Sequence, residues 1–170
     1  MSNMVLSANG LAELKLAEAL VLKLYNDSAG HCTIGYGHLV HHDPCGGKKY
    51  LNEHQFIHGV TVTRATVLLK QDIARFEKEV NASVNVPLTQ HQFDALVIFA
   101  FNPSRYGLTA AFRFNVGVNA FKKSTLLKHI NGNDFGAIPA EFRRWNKSKG
   151  KMMLGLANRR EREIRLFEKK

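Results

Sequence analysis

The hydrophobic period of this 170-residue chain changes twice, and those two changes limit what it can fold into. From Gly10 onward, Leu11, Leu14, Leu16, Ala17 and Leu20 recur at helical spacing, with Glu13 and Glu18 off the apolar stripe. Asn9 is placed to cap that helix. Between Val21 and Thr63 the period is lost. Two short β-rich pieces, residues 32–36 and 60–63, lie among turn formers: Asp27-Ser28-Ala29-Gly30, Gly35, Gly37, Asp43-Pro44 and Gly46-Gly47. That texture predicts small hairpins joined by long loops. From Thr63, read as a cap, Ala65, Leu68, Leu69, Ile73 and Phe76 restore the helical repeat to about Ala82. Pro87 ends the connection and Thr89 caps another apolar helix reaching about Phe101. Residues 124–130, 134–145 and 156–167 are helical in period as well.

Segregation of the strands from the helices predicts an α+β fold. The expected organisation is a single domain, 1–170, with a small β-hairpin lobe at 21–62 and a linking helix at 63–83. A larger helical lobe takes 84–170 together with 1–20, because the first apolar stripe needs a helical partner. A groove between the lobes is the expected place for a ligand.

Charge narrows the partner class without choosing within it. Lys and Arg number 24 against 14 acidic residues, a net charge of +10, which draws a protein toward nucleic acid, anionic lipid or an acidic cell wall. Basic residues at Arg143, Arg144, Arg159, Arg160, Arg162 and Arg165 raise a non-enzymatic binder as a rival. Glu161, Glu163 and Glu168 interleave with them at helical spacing, which favours a solvated, salt-bridged helix face over a phosphate-tracking surface. Glu13, Lys15, Glu18 and Lys23 interrupt the apolar N-terminal stretch, so neither a signal peptide nor a membrane span is expected.

Cys32 and Cys45 are too few for a disulfide scaffold, and two free thiols are the favoured expectation. With His31, His38, His41, His42 and Asp43 they form a dense set of possible metal ligands, which keeps a zinc enzyme or a structural zinc as an alternative. The spacings follow no compact zinc pattern, and the expected cofactor is none.

The most informative segment runs from Glu18 through Tyr25, Asp27, Gly30, Thr33, Ile34, Gly35 and Gly37 to His38. It places a carboxyl near a helix end and a second one nine residues on, in a turn. Two carboxyls flanking a bond, one protonated and one ionised, are what glycoside hydrolysis needs. A helix-end Glu can keep its proton through desolvation, while an Asp in a wetter turn stays charged. On spacing alone the catalytic reading is a minority one, since surface Glu and Asp pairs are common.

The string as a whole resembles the phage lysozyme family, the endolysins with muramidase activity, among the glycoside hydrolases. The likeness continues through Pro87-Leu88-Thr89-Gln90, Phe93-Asp94-Ala95-Leu96, Ser124-Thr125-Leu126-Leu127, Arg144-Trp145-Asn146-Lys147, Gly155-Leu156 and Arg159-Arg160. The resemblance implies a lysozyme-like fold and cleavage of the β-1,4 bond between N-acetylmuramic acid and N-acetylglucosamine in peptidoglycan. It makes Glu18 the general acid, Asp27 the group acting on the opposite side, and Thr33 the holder of the attacking water. An inverting mechanism follows, with the two carboxyls about 6.5–9.5 Å apart. Leu39, Phe101 and Ser124 match substrate-contact positions, though packing or capping accounts for each equally well; His38 is an orienting residue and Trp145 a core one. The implied protein is a monomer that stays in the host cytoplasm until released to the wall, binding neither nucleic acid nor membrane stably.

Three departures stand out. Ala19 replaces the family's Gly after the catalytic Glu, which would cost about 1 kcal/mol if that site needs positive φ. Leu154 replaces a Pro that starts the last helix. Residues 103–115, carrying Arg105 and Arg113, are inserted, and Phe99-Ala100-Phe101-Asn102 is echoed by Phe112-Arg113-Phe114-Asn115, so Phe114 competes with Phe101 for the same family position.

Overall fold

The computed structural model describes residues 3–46, 51–101, 117–148 and 150–169. The inserted stretch and the second half of the Phe echo lie outside the described residues. The chain divides into two compact units, one built on Lys15–Asp72 and the other on the described parts of Met1–Leu14, Ile73–Asn102 and Phe114–Lys170.

Three antiparallel strands organise the first unit, in the order β1 (Val21–Asn26), β2 (Cys32–Gly35) and β3 (His38–His41). Flanked on both sides, β2 is buried along its whole length. Ile34 packs with Phe56 and Leu68 into a small core, against which Leu24, Val40 and Val60 lie. Gly35 takes a φ of +71°, and a Cβ there would come 3.3 Å from the Cβ of Ala65, so both conformation and space call for glycine. Gly59 is tighter: at φ +84° its Cβ would meet the carbonyl oxygen of Leu22 at 2.5 Å.

Helix α2 (Leu51–His54) is one turn long, and no period in the sequence marks it. Residues 60–63 are not a strand. Val60 makes one backbone bond to Leu22, and α3 (Val62–Ser83) already starts two residues later. The cap is Thr61 rather than Thr63, its hydroxyl accepting from the Arg64 N–H at 3.1 Å.

The expectation of free thiols is corrected. Cys32 and Cys45 are joined, with Sγ atoms 2.04 Å apart. The Cys32 N–H donates to the carbonyl of Asp43, and this turn brings the two Cα atoms to 4.7 Å, inside the range a bridge requires. The expectation followed compartment habit, whereas loop geometry decided the outcome.

In the second unit, α1 (Ala8–Ala17) contributes its first seven residues. Its cap is Ser7, not Asn9: the Ser7 hydroxyl accepts from Gly10 N–H at 3.0 Å and itself donates to Asp94. Helix α4 (Gln90–Ala100) opens with a reciprocal capping box between Thr89 and Gln92, and every residue from Phe93 to Ala100 is buried. Around it lie α5 (Val118–Lys122), α6 (Thr125–Asn131), a 3-10 turn (Phe135–Ala137), α7 (Ile138–Arg143), a minimal hairpin of β4 (Lys147–Ser148) and β5 (Lys151–Met152), and α8 (Leu154–Phe167). Leu154 opens α8 without a Pro. Phe99 meets Phe142 and Trp145 edge to face at 4.9 and 5.7 Å, so Trp145 packs on the aromatic core.

The solvated-face reading of α8 needs a correction. Arg143 and Glu161 do form an exposed pair, but Arg160 and Glu163 are both only 2% exposed. Arg160 lies over the Phe99 ring and donates to Glu163 at 2.8 Å, while Arg159 donates to the Ile98 and Phe101 carbonyls. Arg159 and Arg160 therefore tie α8 to α4 and its C-cap.

Candidate active site

Glu18 directly follows the last residue of α1 and is buried, one turn beyond the fully enclosed Leu14. Ala19, the residue replacing Gly, carries no strain. Among the described residues the non-glycine with positive φ is Asn133, at 56°.

Asp27 follows β1 in a turn that its own carboxylate builds. Its Oδ1 accepts from the N–H groups of Ala29 and His31 at 2.8 and 2.9 Å. Main-chain bonds from Asp27 to His31 and from Gly30 to Asp27 close the loop. Held this way, the carboxylate turns its second oxygen inward. Oδ2 is buried and accepts no hydrogen bond from the described residues, with the His31 ring nitrogen 3.7 Å away.

Thr33 sits mid-strand in β2 with no exposed surface, and its hydroxyl donates to the His31 carbonyl at 3.1 Å. It faces Tyr25 across one ladder and Leu39, half-buried on β3, across the other.

Tyr25 joins the two acids electrostatically. Burial pushes its phenol up to about 12, and the negative charges of Asp27 and then Glu18 push it the same way. Although the motif contains Tyr25, sequence reasoning gave it no role; its position two residues before Asp27, on a strand, was the available signal.

His38, on β3, reaches across to α3. Its Nδ1 lies 3.1 and 3.2 Å from the two oxygens of Asp72 on α3, and its ring meets Phe56 edge to face. Nothing in the sequence singled out Asp72, since it occupies an ordinary polar position on a long helix.

The other substrate-contact candidates belong to the second unit. Phe101 is buried, its ring 5.1 Å from that of Phe76 and its carbonyl bound by Arg159. Ser124 is buried as the cap of α6, accepting from Leu127 N–H and donating to the Phe121 carbonyl. Of the possible metal ligands, Cys32 and His41 are joined by Glu53, which the sequence did not single out, with atoms within 4.8 Å of one another, but the sulfur of Cys32 is consumed in the disulfide.

Known proteins supply an independent comparison. A family model described as phage lysozyme matches residues 15–108 and 103–163, two stretches that overlap at the inserted segment. An endolysin of Acyrthosiphon pisum secondary endosymbiont phage 1 is 37% identical over 97% of this chain and 99% of its own length. The endolysin of Salmonella phage P22 is 36% identical over 96% and 98%. That of Bacillus phage PZA is 37% identical over 96% of this chain, which spans 55% of that relative's length. Among solved structures, an endolysin from Escherichia coli O157:H7 phage FAHEc1 superimposes with a TM-score of 0.76 at 31% identity, covering 99% of this chain and 96% of its own. A P22 lysozyme variant gives 0.75 at 33%, covering 96% and 98%.

Proposed function

The chain belongs to the phage lysozyme family of glycoside hydrolases, and from that premise we propose that it cuts the β-1,4 bond between N-acetylmuramic acid and N-acetylglucosamine in bacterial peptidoglycan. The observation that carries the proposal is the buried Asp27 carboxylate, its Oδ1 held by two main-chain N–H groups and its Oδ2 accepting no hydrogen bond from the described residues, in the same compact unit as the buried Glu18.

In this reading Glu18, buried at the end of α1, protonates the departing glycosidic oxygen. Asp27 acts from the other face. With Oδ1 fixed by two main-chain N–H groups, Oδ2 is the oxygen left to draw a proton from water as that water attacks the sugar carbon. The Thr33 hydroxyl, whose proton is given to His31, offers its lone pairs to hold that water. Direct attack by water inverts the anomeric centre. His38 and Asp72 orient the β3 side of the sheet. Leu39 enters as a contact beside Thr33, whereas Phe101 and Ser124 enter by family correspondence alone. The proposal extends to a single domain over residues 1–170, working as a monomer on peptidoglycan, held in the host cytoplasm until release and ending in lysis. No helix among the described residues is long and apolar enough to cross a membrane.

The test is the chemistry of the fragments released from purified peptidoglycan. New reducing ends at N-acetylmuramic acid, first appearing as the inverted anomer in NMR spectra, are the expected result. New free amino groups without reducing ends would mean an amidase or peptidase instead.

A further inference from the structure

The oxidised pair Cys32–Cys45 lies among other groups that bind metals. Cys32 faces His41 directly across the β2–β3 ladder, and the His41 ring nitrogen is 2.6 Å from a carboxylate oxygen of Glu53 on α2. All of these side chains are largely enclosed: Cys32 has no exposed surface, and those of His41 and Glu53 are 9% and 12% exposed. A sulfur, an imidazole nitrogen and a carboxylate oxygen lie within 4.8 Å of one another, and a second sulfur is bonded to the first. Metal–ligand distances of about 2.0–2.3 Å put the corners of a tetrahedral zinc site roughly 3.3–3.8 Å apart. The Cys32, His41 and Glu53 atoms are therefore within about 1 Å of that spacing, the 2.6 Å His41–Glu53 contact having to open and the two sulfurs to part on reduction.

We propose that reduction of the Cys32–Cys45 bond creates a four-coordinate zinc site from Cys32, Cys45, His41 and Glu53. A thiol reductant breaks the Sγ–Sγ bond, giving two thiols on the chain and the disulfide of the reductant. Zn²⁺ then binds with release of both thiol protons. The metal replaces the His41–Glu53 hydrogen bond with two coordinate bonds and restores the link between β2 and the turn holding Cys45. One cross-link thus serves an oxidising compartment and the other a reducing one. None of its four ligands is Glu18, Asp27 or Thr33.

The experiment titrates the whole chain with Co²⁺ and Zn²⁺, in oxidised form and after reduction with a phosphine under inert gas. The expected result is one metal per reduced chain, with the thiolate-to-cobalt charge-transfer and tetrahedral d–d bands of a dithiolate site, and none in the oxidised chain. Zinc should also shield both thiols of the reduced wild type from alkylation, a readout that needs no variant. His41→Ala or Glu53→Gln should weaken binding by more than the roughly 10–100-fold lost with an outer-sphere partner. Reduced chain that takes up no metal, or equal uptake by Cys32→Ser/Cys45→Ser through nearby His31 and His42, overturns the proposal.

Discussion

Tyr25 stands opposite Thr33 in the β1–β2 ladder, and its phenol ionises only at about 12 under the combined effect of burial, Asp27 and Glu18. Two acids separated along the chain thereby bear on one ring.

An alkaline absorbance titration reads that relationship directly. A tyrosine ionisation should appear well above the ordinary 10.0, and Tyr25→Phe should remove that step. Glu18→Gln and Asp27→Asn should each lower it, because each deletes a charge that opposes the phenolate. Since the folded form resists ionisation, stability should be full below about 10 and fall as pH rises toward 12. A late step indifferent to both substitutions would separate the carboxyls.

The fold class was readable because it rests on period: helical stripes before Leu20 and after Thr63 with turn-rich sequence between. Glu18, Asp27 and Thr33 stand out in the sequence because a whole string of residues surrounds them. What escaped depends on tertiary contacts. Arg160 and Glu163 look like exposed charges in a one-dimensional pattern, yet α8 buries both and lays Arg160 over Phe99. Ser7 rather than Asn9 caps α1 because Asp94, far along the chain, fixes Ser7. The Cys32–Cys45 bridge depends on a loop path that no spacing rule specifies. Two-residue strands and one-turn helices are too short to carry a period.

Asp94 should prove a structural acid. Fully buried, it accepts from the Ser7 N–H and hydroxyl and from the Gln90 side-chain amide at 2.8 Å. Asp94→Ala leaves those donors without their acceptor, and the expected loss is about 3 kcal/mol in denaturant unfolding. Asp94→Asn, which keeps one acceptor oxygen, should lose less.

Acid should weaken the second unit through Glu141. Burial alone would push this carboxyl up, but hydrogen bonds from Thr125 and Arg144 and the charges of Arg144 and His129 hold it below its ordinary 4.5. A depressed folded-state value means that its contribution is complete above about 4.5 and disappears as pH falls through the lowered value. Tm measured against pH should show a shallower acid limb for Glu141→Gln than for wild type. Parallel limbs would remove Glu141 from the acid response.

The assignment of Glu18 as the proton donor is tested most directly by turnover on purified peptidoglycan, comparing wild type with Glu18→Gln of matched thermal unfolding. The account predicts a fall of roughly 100- to 10,000-fold, the contribution of a positioned acid. Hydrolysis by Glu18→Gln at nearly the wild-type rate would contradict it.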